Sequence, residues 1–179
     1  TELKGKTLGI QAYGNVGRLV AAHAKSFGMK IMAFDPFVPA DKIQAEGVEV
    51  AASLEDLYAK SDFVSLHIPA TNETKNSIGY ALLSKMPKGG CLVNTARKEV
   101  INEPELVKVL EERQDLKYIT DIAATNQAEL NEKFGKRVFA TPKKMGAETA
   151  EANVNAGVAA ANQICDFFAT GNRKFQVNK

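Results

Sequence analysis

The side chains in this sequence best suited to chemistry each follow a short apolar run. Asp35 closes KIMAFD, Arg97 closes CLVNTAR, Asp121 closes YITD, and the adjacent Lys143 and Lys144 follow RVFATP. A carboxylate such as Asp35 accepts hydrogen bonds from hydroxyl groups. A guanidinium such as that of Arg97 matches a carboxylate in a two-pronged contact. A lysine that has lost its proton can act as a base. Taken singly, each has a bland reading: a solvated loop charge, or for Asp121 a turn or helix cap. Their shared position after an apolar run is what lifts them above it.

Those runs and the segments between them set the architecture. Apolar runs occur at TLGIQA (7–12), KIMAF (30–34), FVSLHI (63–68), CLVNTA (91–96), YITDIAA (118–124) and RVFAT (137–141). Helical patterns lie between them at about 16–27, 53–60, 79–85 and 103–113, and a last one at about 149–169 is closed by Gly171. Short, nearly unbroken strands alternating with helices predict an α/β fold, a doubly wound, mostly parallel sheet of the Rossmann type. Such a sheet binds ligands outside the carboxyl ends of its strands, where every residue named above falls.

The first strand runs through AYGNVGR (12–18) into a helix, then into a second strand ending at Asp35. That is the order of a dinucleotide fingerprint. Tyr13 and Gly14 are read as cofactor-binding, and Gly14 lets the backbone approach a pyrophosphate. The N–H groups at Asn15 and Val16 face the anion. Gly17 permits close packing of helix on strand. Asp35 is placed to take ribose hydroxyls and to repel a 2′-phosphate, which favours NAD over NADP. One position departs from the pattern: Ala12 stands at the first glycine, and alanine tolerates positive φ poorly.

Bulk properties exclude several classes. The 179 residues are 45% hydrophobic and 25% charged, with a net charge of +2, an ordinary globular balance with no electrostatic case for nucleic acid or an anionic membrane. No apolar run approaches the roughly 20 residues of a membrane span. No signal-peptide pattern opens the sequence, and Cys91 and Cys165 read as buried free thiols, so the expected location is cytoplasmic. The two histidines, His23 and His67, leave no room for histidine-rich metal chemistry, and no metal is expected. His23 reads as a surface or packing residue.

The motifs together resemble the D-2-hydroxyacid dehydrogenase family, most closely its D-3-phosphoglycerate dehydrogenase branch. GKTLGI…GNVGR…FGMKIMAFDP is similar to its cofactor half, SDFVSLHIPATNETKNSIG to its next segment, and CLVNTARKEVINEPEL to the segment with its substrate arginine. The resemblance implies an NAD-dependent oxidoreductase acting on a phosphorylated 2-hydroxy acid, D-3-phosphoglycerate, in serine biosynthesis. It implies that Arg97 is catalytic and that His67, Ile68, Pro69 and Thr74 form a cofactor-side turn. Thr95, Ala96 and Arg97 would approach the nicotinamide, with Asp121 beside its carboxamide or ribose and Gly146 nearby. It also implies that residues 1–179 are the nucleotide domain, that most of a substrate domain lies upstream of residue 1, and that the nucleotide domain alone is inactive. A homodimer is expected, helped by ALLSKM (81–86) and the last helix.

The base is where the sequence departs from that family. Most members use a histidine in a TPHIG-like segment, oriented by a glutamate. Here the segment is TPKKMGAETAEAN, and Asn126 stands at the glutamate position. Counting from Thr141-Pro142 puts Lys143 at the histidine; counting back from GAETAEAN puts Lys144 there. The second register is preferred and makes Lys144 the catalytic base, as in a minority branch with lysine at this place. A free lysine titrates near pH ~10.4, so a lysine base needs desolvation or neighbouring positive charge. Loss of the glutamate fits, since a carboxylate would favour the ammonium. Two other readings remain open: a glyoxylate or hydroxypyruvate reductase, and a non-catalytic NAD-sensing dimer. In the last helix Val154, Val158, Ala161, Ile164 and Phe168 share one face, expected mostly to cover the sheet.

Overall fold

The computed structural model describes residues 2–144, 146 and 148–177. The chain divides into two compact units, residues 1–143 and 144–179. In the first, β1 (Thr7–Gln11), α1 (Asn15–Ser26), β2 (Lys30–Phe34), α2 (Ala40–Ala45) and β3 (Glu49–Val50) form one half. The other half is α3 (Leu54–Lys60), β4 (Phe63–Leu66), α4 (Tyr80–Leu83), β5 (Cys91–Asn94), α5 (Glu103–Glu112), β6 (Lys117–Thr120), α6 (Gln127–Phe134) and β7 (Val138–Ala140). The second unit contains α7 (Ala150–Thr170).

All strands are parallel, in the order β3-β2-β1-β4-β5-β6-β7. The chain winds outward from β1 through β2 to β3, then returns to add β4 on the opposite side of β1. The carboxyl ends of β1 and β4 therefore border a switch point, where a doubly wound sheet opens a crevice. This is the predicted fold.

Side-chain alternation divides the core. Leu8, Ile10, Ile31 and Ala33 point to one face and bury against Ala21 and Ala24 of α1 and Ile43 of α2. Val64, Leu66, Leu92, Tyr118 and Val138 point to the other, with Leu57 and Tyr58 of α3, Leu106 and Leu110 of α5 and Leu130 of α6. On the first face, at β6 and β7, Ile119 and Phe139 stay 39% and 56% exposed.

Helix starts follow their caps. Ser53 accepts the Asp56 N–H at 3.1 Å, Asn102 accepts that of Glu105 at 3.2 Å, and Thr149 accepts that of Ala152 at 3.1 Å. Gly171 ends α7 in the left-handed conformation, at φ 71°, as its position predicts.

Two expectations are corrected. Cys91 is buried, and its burial raises the thiol pKa to about 11, but Cys165 is exposed. The last helix buries none of its residues, and Val154, Val158, Ile164 and Phe168 are all exposed. An apolar stripe shows that a helix face suits a covering surface without saying which surface that is. Cys165 lies on this helix, and its apolar neighbours in sequence made it look buried. Among the described residues no helix is long and apolar enough to cross a membrane, and no group of acidic, cysteine and histidine side chains is arranged for a metal.

Candidate dinucleotide site

The turn after β1 is built around a strained residue. Ala12 has φ 75°, the left-handed region that glycine adopts without cost. Its N–H donates to Phe34 O at 2.9 Å, which ties the turn to the end of β2. A Cβ on Gly17 would stand 2.4 Å from Ala12 O, so the helix can approach the turn only with glycine there. Alanine thus keeps the backbone shape of the glycine it replaces, at about 1 kcal/mol of strain. We expect Ala12→Gly to raise stability by a few tenths to about 1 kcal/mol, offset partly by the greater freedom of unfolded glycine. Thermal unfolding checks this; a lower melting temperature would contradict it.

Gly14 occupies the N-cap position of α1, and no side chain caps the helix. A Cβ there would meet nothing within 4 Å, so the space before the helix is open. No acidic side chain lies in the first turn. The N–H groups of Asn15 and Val16 face a ready-made anion position. Tyr13 plays another part: its ring is buried, and its hydroxyl donates to Glu46 Oε2 at 2.9 Å. Burial pushes its pKa above the ordinary phenol value. Glu46 also pairs with Arg18, so the loop is anchored to the end of α2.

Asp35 follows β2 and faces the same turn. Its Oδ2 accepts the Tyr13 N–H at 2.7 Å and its Oδ1 accepts the Phe37 N–H at 2.8 Å. Each carboxylate oxygen keeps a further lone pair for a ribose hydroxyl. Asp35→Ala should raise the Kd for NAD about tenfold or more, the value of a charge-assisted hydrogen bond. NADP affinity should fall less, because the repulsion of its 2′-phosphate goes too. Calorimetric titration with both nucleotides checks this, and an unchanged NAD/NADP ratio would contradict it.

Across β1, the end of β4 carries the next group. The His67 N–H donates to Gln11 O at 2.9 Å, and His67 Nε2 lies 3.0 Å from Ser65 Oγ. Burial lowers the His67 pKa from its ordinary value, which favours the neutral ring. Ile68 is buried and Pro69 exposed. Thr74 braces this turn: its Oγ1 accepts the Thr71 N–H at 2.7 Å and donates to Pro69 O at 2.5 Å.

After β5, Asn94 organises the Arg97 turn, a role that the sequence reading missed. Asn94 is fully buried; its Oδ1 accepts the Ala96 N–H at 3.0 Å and its Nδ2 donates to Arg97 O at 2.9 Å. Such side-chain-to-backbone closure is a habit of asparagine at a strand end, and NTAR carried that signal. Thr95 and Arg97 are exposed, while Ala96 is buried. The Arg97 guanidinium donates to Ala96 O at 2.8 Å, and among the described residues no carboxylate pairs with it.

After β6, Asp121 holds its N–H toward Asn94 O at 3.4 Å, and its carbonyl accepts from Thr141 Oγ1 at 3.2 Å. Its Oδ1 is buried with no partner among the described residues. Asp121 caps no helix, since α6 begins only at Gln127. A buried, unpartnered carboxylate oxygen at this edge suits a ligand N–H or hydroxyl. Asn126 occupies the position before α6 without capping it, and its Oδ1 is likewise buried and unpartnered. Lys143 is exposed, with its carbonyl accepting from Thr141 Oγ1 at 2.8 Å. Lys144 and Gly146 are exposed and belong to the second unit, so their assignments rest on sequence register; Met145 and Ala147, which helped set that register, lie outside the described residues. His23 is exposed on α1.

An uncapped helix start, a carboxylate at the end of β2 and the switch point of a parallel, doubly wound sheet define a dinucleotide-binding domain. The chain belongs to the D-isomer specific 2-hydroxyacid dehydrogenases: the model of that family's NAD binding domain matches residues 1–144. Its cofactor is NAD. It is 35% identical over 164 residues to D-3-phosphoglycerate dehydrogenase of Methanocaldococcus jannaschii, covering 91% of this chain and 31% of that protein. It is 37% identical over 167 residues to hydroxypyruvate reductase of Thermotoga maritima, covering 91% of this chain and 53% of that protein. The structure of NAD+-bound 3-phosphoglycerate dehydrogenase from Entamoeba histolytica superposes with a TM-score of 0.88 at 50% identity, over 100% of this chain and 57% of that one. The chain thus spans about a third to somewhat over half of these relatives.

Proposed function

We propose that this chain is the cofactor half of an enzyme that oxidises D-3-phosphoglycerate to 3-phosphohydroxypyruvate, a step towards serine. The observation that carries this reading is the 50% identity, along the whole chain, to a solved 3-phosphoglycerate dehydrogenase. NAD supplies the hydride acceptor when bound. Asp35 holds the adenosine ribose and the start of α1 holds the pyrophosphate. Thr95 and Ala96 approach the nicotinamide by main chain, and the free Asp121 Oδ1 takes a hydrogen bond from its carboxamide or ribose. Arg97 grips the substrate carboxylate and, in the reverse direction, polarises the ketone. Lys144 takes the hydroxyl proton, and returns it when the ketone is reduced.

The likeness to a hydroxypyruvate reductase favours a second reading, with an unphosphorylated acid as substrate. Reduction of 3-phosphohydroxypyruvate, hydroxypyruvate and glyoxylate with NADH separates the two, using the enzyme with its substrate-binding portion. The proposal expects kcat/KM to favour the phosphorylated acid by about tenfold or more, the value of a charge-assisted contact. Preference for hydroxypyruvate or glyoxylate would overturn it. We also propose that the enzyme is a cytoplasmic homodimer, supported by the exposed apolar stripe on α7; a monomeric mass at micromolar concentration would contradict the dimer.

A further inference from the structure

Glu46 stands at the C-terminal cap position of α2, and its hydrogen bonds lead away from that helix. Its Oε2 accepts the Tyr13 hydroxyl at 2.9 Å, and its Oε1 accepts from the Arg18 guanidinium. Its carbonyl accepts from the Lys25 ammonium, in the last turn of α1. The Arg18 and Glu46 side chains are 53% and 32% exposed, so as an ion pair they contribute little to stability. The Tyr13 contact is stronger. Its phenol belongs to a residue only 2% exposed, and the acceptor is a carboxylate. Tyr13 is thus held at both ends, its N–H by Asp35 Oδ2 at 2.7 Å and its hydroxyl by Glu46. The residue before it is Ala12, at φ 75°. A residue with a side chain keeps such a backbone only where its surroundings hold it there. On one side of Ala12 the hold is its own N–H bond to Phe34 O; on the other it is Tyr13.

We infer that Glu46 is a positioning residue for the cofactor's pyrophosphate. Through Tyr13 it holds the strained turn from Ala12 to Gly14 in the shape that presents the start of α1 to an anion. It acts before the cofactor arrives and needs no contact with it, which is preorganisation. Without Glu46 the phenol loses its acceptor, and Ala12 relaxes towards negative φ. Only the fraction of molecules with the turn in place then binds, and the Kd rises as that fraction falls. The strain of a left-handed alanine sets the size of the effect, about fivefold. The inference rests on the pyrophosphate lying at the start of α1.

Calorimetric titration of NAD into the enzyme with its substrate-binding portion tests this, with circular dichroism confirming that each variant is folded at the titration temperature. Glu46→Ala should raise the Kd about fivefold. Tyr13→Phe, the milder change, should do the same, and the two together should be no worse than either, because both remove one clamp. Glu46→Gln keeps an acceptor for the phenol and should retain most of the affinity. The decisive variant adds Ala12→Gly to Glu46→Ala. Glycine adopts positive φ without strain, so this pair should bind NAD within about twofold of wild type. Wild-type affinity in both Glu46→Ala and Tyr13→Phe overturns the inference, as does a loss that Ala12→Gly leaves in place. Wild-type protein that binds no NAD would instead remove the pyrophosphate site itself, and this inference with it.

Discussion

Lys144→Met, made in the enzyme that includes its substrate-binding portion, should abolish oxidation of the 2-hydroxy acid and leave NAD binding intact. A positioned general base contributes about 10²–10⁴ to the rate, and methionine keeps the length and apolar stem of lysine without the amine. NAD affinity should survive because the residues proposed to hold the nucleotide are the α1 start, Asp35 and Asp121. Lys143→Met is the paired control, and it should retain near-normal turnover. The register places Lys144 before Met145-Gly146-Ala147, where family members carry the histidine. Lys143 is exposed, and its carbonyl closes a local turn with Thr141. Loss of activity in Lys143→Met with retention in Lys144→Met would transfer the role. Steady-state rates together with NAD calorimetry on both variants decide between them.

Arg97→Leu should lower kcat by about 10²–10³, the usual cost of removing one preorganised charge donor, and should raise KM as well. Arg97 lies on a turn fixed by the buried Asn94, and no carboxylate competes for it among the described residues. It is therefore available to a ligand carboxylate. Arg97→Lys should recover only part of the loss, because an ammonium cannot reproduce the planar fork. NAD affinity should change far less than turnover. A variant with wild-type kcat/KM would remove Arg97 from the mechanism.

Much of this arrangement was legible in the sequence, for particular physical reasons. Strands buried on both faces of a parallel sheet read as short apolar runs, so β1, β2, β4, β5, β6 and β7 stood out. The charged residue closing several of these runs then marked a candidate position at the carboxyl edge of the sheet, as with Asp35, Arg97 and Asp121. The departure at Ala12 was visible too, and its positive φ is what a glycine position demands. Smaller elements were not visible: β3 has two residues, α2 has six, and α6 buries only Leu130 and Phe134. Periodicity over so few positions carries little signal. Asn94 works through hydrogen bonds to its own turn, and its one signal in the sequence was an asparagine at a strand end, in NTAR. Cys165 and the α7 stripe show the opposite error, since apolar neighbours along a helix do not say what, if anything, buries them.

Under the proposed function, the enzyme turns over a 2-hydroxy acid with a lysine in place of the family's histidine. The most direct measurement follows NADH formation when the enzyme with its substrate-binding portion receives NAD and D-3-phosphoglycerate, alongside its Lys144→Met variant. NADH should form with the wild type and not above background with the variant, with NAD bound equally by both. Tight NAD binding by the wild type, without NADH from D-3-phosphoglycerate or any other 2-hydroxy acid, would contradict it and leave a nucleotide-sensing protein in its place.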